Sequence, residues 1–453
     1  LFKTEKSVFD MVLSYGIFQE DCQMDSNNLN PRLRVMQAAD LKDKVVLVRV
    51  DHNVVKKGKV IDPYRIDATL GTIYAIAEKG GRPILMTHIG RPKDKKTGKI
   101  ACKADESVGP IVKYLEQKLP LRIGVPQLPV DPDKGILHLD AALQPALADL
   151  KNRKVSMLYL PNTRWFQGEE SKGPERALFA KELSAIADVY INDAFGSWQA
   201  HASTYDVAKL LPAYTGHLLQ KEILNCQRVL EPERPFVAVV AGAKYDTKIG
   251  PLKILFEKAD HLILGGLIYN TFLAAKYGIE INGVTAEEKA LAADLVALDA
   301  QAKKIVETPY LLESETDQAK VAGQCRTLEL KNLKQGQKLA FVLDADPKSF
   351  EDSKVKEVIG SAKTLFVNAV MGLMPHFGEG SRAFYNLVAA NKSALKLFGG
   401  GDTLQELKNL CPGVYLAGTD DPRTYYFTGG GSVLTAIEEG SPYKIKPVEV
   451  LLG

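Results

Sequence analysis

The sequence predicts an α/β protein of two doubly wound domains with mostly parallel sheets. Near-continuous apolar runs of strand length alternate with segments of helical period, the pattern of strands buried on both faces. A chain of 453 residues exceeds what one ordinary core supports, so it divides. The runs fall into two sets, parted by the helical segment "QKEILNCQRVLEPERP" (220–235) with its proline-bearing turn.

The first set of strands reads "KVVLVRV" (44–50), "RPILMTH" (82–88), "VSMLYL" (155–160) and "VYIND" (189–193). After the first of them, "RIDATLGTIYAIAEKGG" places Ile66, Leu70, Ile73 and Ala77 on one helical face and stops at Gly80-Gly81. "GPERALFAKELSAIADV" opens a helix with Pro174 at its first position, where a missing N–H costs nothing. The second set reads "FVAVVAG" (236–242), "HLILGG" (261–266), "LAFVLDA" (339–345), "TLFVNAV" (364–370) and "KLFGGGD" (396–402). The expected divisions are an extension at 1–36, domains at 37–220 and 221–435, and a tail at 436–453 that returns to the N-terminal domain.

Composition excludes several classes. Apolar residues at 45% and charged ones at 25% are ordinary for a soluble globular chain. A net charge of +3 is close to balance and argues against nucleic acid as a partner. The five cysteines are scattered without a CxxC pair, which disfavours a disulfide framework or a zinc site and fits a reducing compartment. That compartment is the cytoplasm, or an organelle matrix after removal of a targeting segment. No apolar run approaches the roughly 18 residues of a membrane span. Residues 1–40, with the weakly amphipathic "VFDMVLSYGIF", offer a surface for a protein partner; otherwise a monomer is expected. The basic run "RPKDKKTGK" (91–99) reads as a solvated loop, and "NKS" at Asn391 as a chance match to a glycosylation acceptor.

In open α/β sheets, ligands sit outside the carboxyl ends of the strands. After the first-half strands come Asp51 and Asn53, then His88 and Arg91, then Arg164, then "NDAFG" with His201 beyond it, while Arg65 opens the first helix. Arginines, histidines and carboxamides brought to one edge bind a small phosphorylated or carboxylated molecule. The second-half strands end instead in "AGAK", "GG", "NAVMG" and "GGGD", and "YFTGGGS" (426–432) adds another triplet. Glycines let backbone N–H groups approach phosphate oxygens, and a following helix N-terminus adds partial positive charge. Lys244 and Lys248 stand four apart, on one face if that segment is helical. Neither a GxxxxGK[ST] spacing nor a GxGxxG followed by an acid is present. A small-anion edge and a nucleotide-phosphate edge together suit phosphoryl transfer. An ionised acceptor needs no general base, so positioning and charge neutralisation suffice. Asp402, closing "LFGGGDT", would hold Mg²⁺, which often takes only one or two protein carboxylates.

These segments resemble a known family. "VRVDHNV", "DPYRIDATLGTI", "MTHIGRP", "NTRWFQGEE", "INDAFG…HAST", "QKEI", "AGAKYDTKI", "LGG", "GGGDT" and "TGGGSVL" stand in the order seen in phosphoglycerate kinases, over roughly residues 37 to 440. The resemblance implies two Rossmann-like domains joined by a hinge helix that closes them, on a largely monomeric enzyme. It implies reversible transfer between Mg·ATP and the carboxylate of 3-phosphoglycerate, a step of glycolysis. By it, Asp51, Asn53, His88, Arg91, Arg164 and His201 bind the phosphoglycerate, and Arg65, Lys248, Gly401 and Gly429 serve the transferring group. Lys244, Gly265, Gly266, Leu267, Asn368, Gly372, Gly399, Gly400, Thr403, Gly430 and Gly431 meet the nucleotide, and Asp402 the Mg²⁺.

Departures from the family pattern touch both binding ends. "NDAFG" is followed by "SWQAH", one residue short of the family's Thr-Ala-His-Arg-Ala-His, so an anion-binding arginine is lost. Such a charge-assisted contact is worth about 1.5–3 kcal/mol. Pro375 stands where the family has a ribose-binding glutamate. Three readings therefore stay open: a divergent working kinase, a weakened relative kept for nucleotide binding or assembly, and a kinase for another small acid.

Overall fold

The structure is a computed structural model that describes residues 28–453 apart from 120, 140 and 243–247. It divides into two compact units. One runs up to Leu224 and includes Tyr443–Gly453; the other is Asn225–Pro442.

The first unit is built on six strands: β1 (Val45–Val50), β2 (Arg82–Met86), β3 (Ile123–Gly124), β4 (Met157–Tyr159), β5 (Val189–Asp193) and β6 (Ala213–Thr215). They lie in the order β3-β4-β2-β1-β5-β6, and every pairing is parallel. β1 is buried at all six positions, as a central strand covered on both faces must be. Helix α1 (Leu70–Glu78) covers one face; a separate turn of helix, Tyr64–Asp67, precedes it. The expected single helix is thus broken at Ala68-Thr69. The break shifts the register, so that Ile66, Leu70, Ile73 and Ile76 are buried while Ala77 is exposed. Helix α2 (Pro174–Ala185) begins on its proline.

Helix α3 (His217–Leu230) carries the chain from the first unit into the second. The second unit has a parallel sheet of β7 (Phe236–Gly242), β8 (His261–Gly265), and three later strands. An antiparallel sheet of β9 (Tyr310–Ser314), β10 (Cys325–Glu329) and β11 (Phe341–Ala345) comes between, followed by β12 (Thr364–Asn368), β13 (Leu395–Phe398) and β14 (Thr424–Tyr426). The parallel order is β8-β7-β12-β13-β14. The run 339–345 is therefore not one strand of the parallel sheet. Lys338–Leu339 pairs with Glu280–Ile281, and β11 joins the antiparallel sheet. The buried Glu313 carboxylate takes the Ala340 N–H at 2.7 Å, which fixes the chain where the two pieces part.

The last residues close the first unit. Gly453 N–H donates to Arg32 O at 2.7 Å, Arg34 Nη2 to Val450 O at 2.8 Å, and Asn192 Nδ2 to Pro447 O at 3.2 Å. Arg34 O in turn accepts from Thr215 N–H at the end of β6. Among the described residues, no helix is long and apolar enough to cross a membrane.

Candidate active site

In the first unit the strand ends converge as the alternation of apolar runs and polar turns requires. Asp51 and Asn53 follow β1, His88 follows β2, Arg164 lies beyond β4, and His201 beyond β5. Backbone hydrogen bonds knit them together. Asn53 Oδ1 accepts from Gly90 N–H at 3.0 Å, and Gly90 O accepts from Arg164 Nη1 at 2.6 Å. Arg65 Nη1 lies 3.4 Å from Asp51 Oδ1. Burial pushes the Asp51 carboxyl up, but the Arg65 and Arg49 guanidiniums outweigh it and hold the group below its usual range. Arg91 is exposed and joins none of these contacts.

Beneath this edge lies a charged layer that strand-end residues do not announce. Arg49, on β1, is 1% exposed. Its Nε donates to Ser203 Oγ at 2.8 Å, its Nη1 to Val50 O at 2.5 Å, and its Nη2 reaches His88 Nδ1 at 3.2 Å. A guanidinium can only donate, so His88 Nδ1 is the acceptor. Burial, reinforced by Arg49, Arg164 and Arg65 against the pull of Asp51, keeps the His88 ring far below its ordinary pKa. The neutral ring consequently carries its proton on Nε2. Ser203 is gripped in turn by Glu169, whose Oε1 accepts the hydroxyl at 2.6 Å and Oε2 the N–H at 3.0 Å. His52 completes the support. Thr69 Oγ1 gives its hydrogen to Ile66 O, so it accepts from His52 Nε2 at 2.9 Å, and His52 Nδ1 accepts from Tyr159 O–H at 2.9 Å. Burial holds the His52 pKa down at about 3, so the relay stays neutral. The available signal for Arg49 was a charged residue inside the apolar run "KVVLVRV".

The second unit presents a different edge. Lys248 is the residue immediately before helix α4 (Ile249–Lys258). Its Nζ donates to Ala241 O at 2.5 Å and to Asn368 Oδ1 at 2.6 Å, and it has no ion pair among the described residues. Burial lowers its pKa to about 8 against the opposing pull of Asp402. Asn368 Nδ2 continues the chain to Gly399 O at 2.6 Å. Lys244 lies outside the described residues.

Helix α5 (Gly266–Tyr277) opens directly on the end of β8, and Gly266 sits at φ +60°, where its missing side chain lets the backbone turn. Gly265 and Gly266 line a narrow slot with Tyr269, Asn270, Leu311, Val342, Asp344 and Met371; Leu267 does not line it. Asp344 is 4% exposed, and burial pushes its carboxyl up to about 8 despite the Gly380 and Ala345 N–H groups. A Cβ on Gly372 would lie 2.5 Å from that carboxyl carbon, so this glycine leaves room for it.

Helices α6 (Gly401–Leu410) and α7 (Gly430–Glu438) start on the two glycine triplets, with Gly400 and Gly429 immediately before them. The triplets touch backbone to backbone: a Cβ on Gly430 would stand 2.4 Å from Gly400 Cα and 2.6 Å from its N. Two helix N-termini with bare glycine turns make an anion cradle. Asp402 is exposed in the first turn of α6, and Thr403 behind it is buried. Gly431 lies in the first turn of α7.

Together these elements, one arginine-and-histidine edge and one lysine-and-glycine edge on parallel sheets, coincide with a known family. The phosphoglycerate kinase sequence profile matches residues 36–440. The chain belongs to the phosphoglycerate kinase family. It is 35% identical over 408 residues to phosphoglycerate kinase of Dictyoglomus turgidum, covering 88% of this chain and 94% of that one. It is 36% identical over 409 residues to the enzyme named phosphoglycerate kinase in Dinoroseobacter shibae, with the same coverage. The solved phosphoglycerate kinase of Coxiella burnetii superposes with a TM-score of 0.70 at 26% identity, covering 92% of this chain and 98% of its own. That of Pyrococcus horikoshii gives 0.71 at 21% identity, covering 92% and 99%, and supports the fold alone. The α/β class and the mostly parallel sheets read from the sequence hold.

Proposed function

We propose that the chain transfers a phosphoryl group reversibly between Mg·ATP and the carboxylate of 3-phosphoglycerate. The observation that carries the reading is Lys248: a largely buried ammonium with no ion pair among the described residues, beside two abutting glycine turns. Such a cation is arranged for a negative group that arrives with a ligand, and phosphate oxygens fit it.

In this reading Asp51, Asn53, His88, Arg91, Arg164 and His201 receive the phosphoglycerate, with neutral His88 donating from Nε2. Gly265, Gly266 and Asn368 receive the nucleotide, and Gly399 to Gly401 with Gly429 to Gly431 its phosphates. The acceptor carboxylate attacks the γ-phosphorus, the bond to the bridging oxygen breaks, and ADP leaves with the electron pair. No proton is removed from the acceptor, so no general base is required. Arg65 and Lys248 neutralise charge that spreads over the transferring group. A magnesium ion fits Asp402: the carboxylate is exposed, hard, and close enough to Lys248 to influence it. Among the described residues no cluster of three His, Cys, Asp or Glu could hold a metal alone, so substrate phosphates would supply the remaining oxygens. When bound, the ion neutralises phosphate charge.

A coupled assay of Mg·ATP with 3-phosphoglycerate tests the proposal. Turnover that needs both substrates is expected; none at saturating concentrations of each would defeat it. The second reading, a weakened relative, draws on Trp198, 38% exposed at the segment where the family's arginine is missing. It predicts nucleotide binding by calorimetry without turnover.

A further inference from the structure

Consecutive glutamates at 169 and 170 do different work. Glu169 is 1% exposed and holds Ser203, which anchors the turn that follows His201. The Glu170 side chain is 30% exposed and faces the anion edge itself. One of its oxygens, Oε1, lies 2.9 Å from Arg164 Nε and 3.8 Å from His201 Nε2. Arg164 Nε is out of line for a hydrogen bond to it, so the attraction is Coulombic. Arg164 Nη1 is engaged by Gly90 O, which leaves Nη2 without a protein hydrogen bond among the described residues.

Arg164, which the proposed function gives to phosphoglycerate, is thus already met by a protein carboxylate, with the His201 ring beside it. We propose that Glu170 is a specificity-determining counter-charge, which occupies the field of Arg164 beside His201 and weakens this end of the first unit for phosphate-bearing acids. An incoming dianion must settle beside a fixed negative charge and share Arg164 with it. The missing arginine after "NDAFG" leaves fewer cations here, which gives a single carboxylate more weight. Its chemistry suits an enzyme that must release a charged product as readily as it binds one. The inference rests on the proposed function for the identity of the acid, but not for the electrostatics.

The test is Glu170→Gln in the full chain, which keeps shape and removes charge. Calorimetric titration with 3-phosphoglycerate and, separately, with inorganic phosphate reads affinity without turnover. Glu170→Gln is expected to lower both dissociation constants about fivefold, the scale of a half-exposed ion pair. KM for 3-phosphoglycerate should fall with them, while KM for Mg·ATP stays unmoved and Glu170→Asp behaves as the parent. Unchanged or weaker phosphate binding in Glu170→Gln would overturn the inference, since a merely structural clamp loses affinity when cut. Glu170→Ser provides the same sign of effect should the glutamine variant fold poorly. If the parent binds phosphate but not 3-phosphoglycerate, the functional reading fails while the phosphate comparison still judges Glu170.

Discussion

Replacing Lys248 by methionine probes the site through proton linkage. In the folded protein the ammonium titrates near 8, against 10.5 as its ordinary value. Between those pH values the unfolded chain holds a proton that the folded chain has released, so raising the pH favours the fold. The gap, at about 1.4 kcal/mol per pH unit, amounts to about 3 kcal/mol across the window. Lys248→Met removes this term and leaves every other titration in place. Equilibrium unfolding in urea, run at intervals from pH 7 to 10.5 on both proteins, should show the parent gaining about that much on the variant. Saturating Mg·ADP should abolish the gain, because phosphate beside the ammonium restores its pKa. Parallel curves without nucleotide would refute the account of Lys248 as a cation whose titration is governed by its burial. A gain that persists with nucleotide would show that the phosphates bind elsewhere.

Other substitutions read other parts of the structure. Asp193 is fully buried; burial, opposed by Thr72 and the N–H groups of Leu218 and Leu219, lifts its carboxyl from 3.8 to about 7. Its stabilising share is present below pH 4 and lost as pH rises through 7, so Asp193→Asn should gain roughly 4 kcal/mol on the parent between those limits, measured by urea unfolding. Gly430→Ala drives a methyl into Gly400 backbone that has no side chain to yield, which should cost about 1–3 kcal/mol and raise KM for Mg·ATP with little change for phosphoglycerate. Arg65→Ala should lower kcat by about 10³-fold while leaving the unfolding midpoint nearly unchanged, since its only ion pair among the described residues is a loose one to Asp51. Loss of folding instead of rate would remove Arg65 from the transferring group.

The central parallel strands were legible because they are apolar on both faces; the short outer strands β3, β6 and β14, each partly exposed, were not. The antiparallel strands were not. β9 alternates buried and half-buried residues around Glu313, and its polar half resembles a loop until β11 is beside it. The run 339–345 failed for the same reason, since the side chain that divides it comes from position 313. The break at Ala68-Thr69 has no glycine or proline to announce it; the buried Thr69 hydroxyl bonded to Ile66 O marks it only in three dimensions. At the candidate site, residues that end strands could be named because their types and places suffice. Arg49, His52 and Glu170 could not, because each matters through a partner 17 to 154 positions away or through a neighbour's charge.

The return of Tyr443–Gly453 to the first unit bears on how the molecule is made. Translation delivers all of Asn225–Pro442 before the eleven residues that bond Arg32, Arg34 and Asn192. The half synthesised first therefore keeps the partners of Arg32, Arg34 and Asn192 unfilled until the other half has been made.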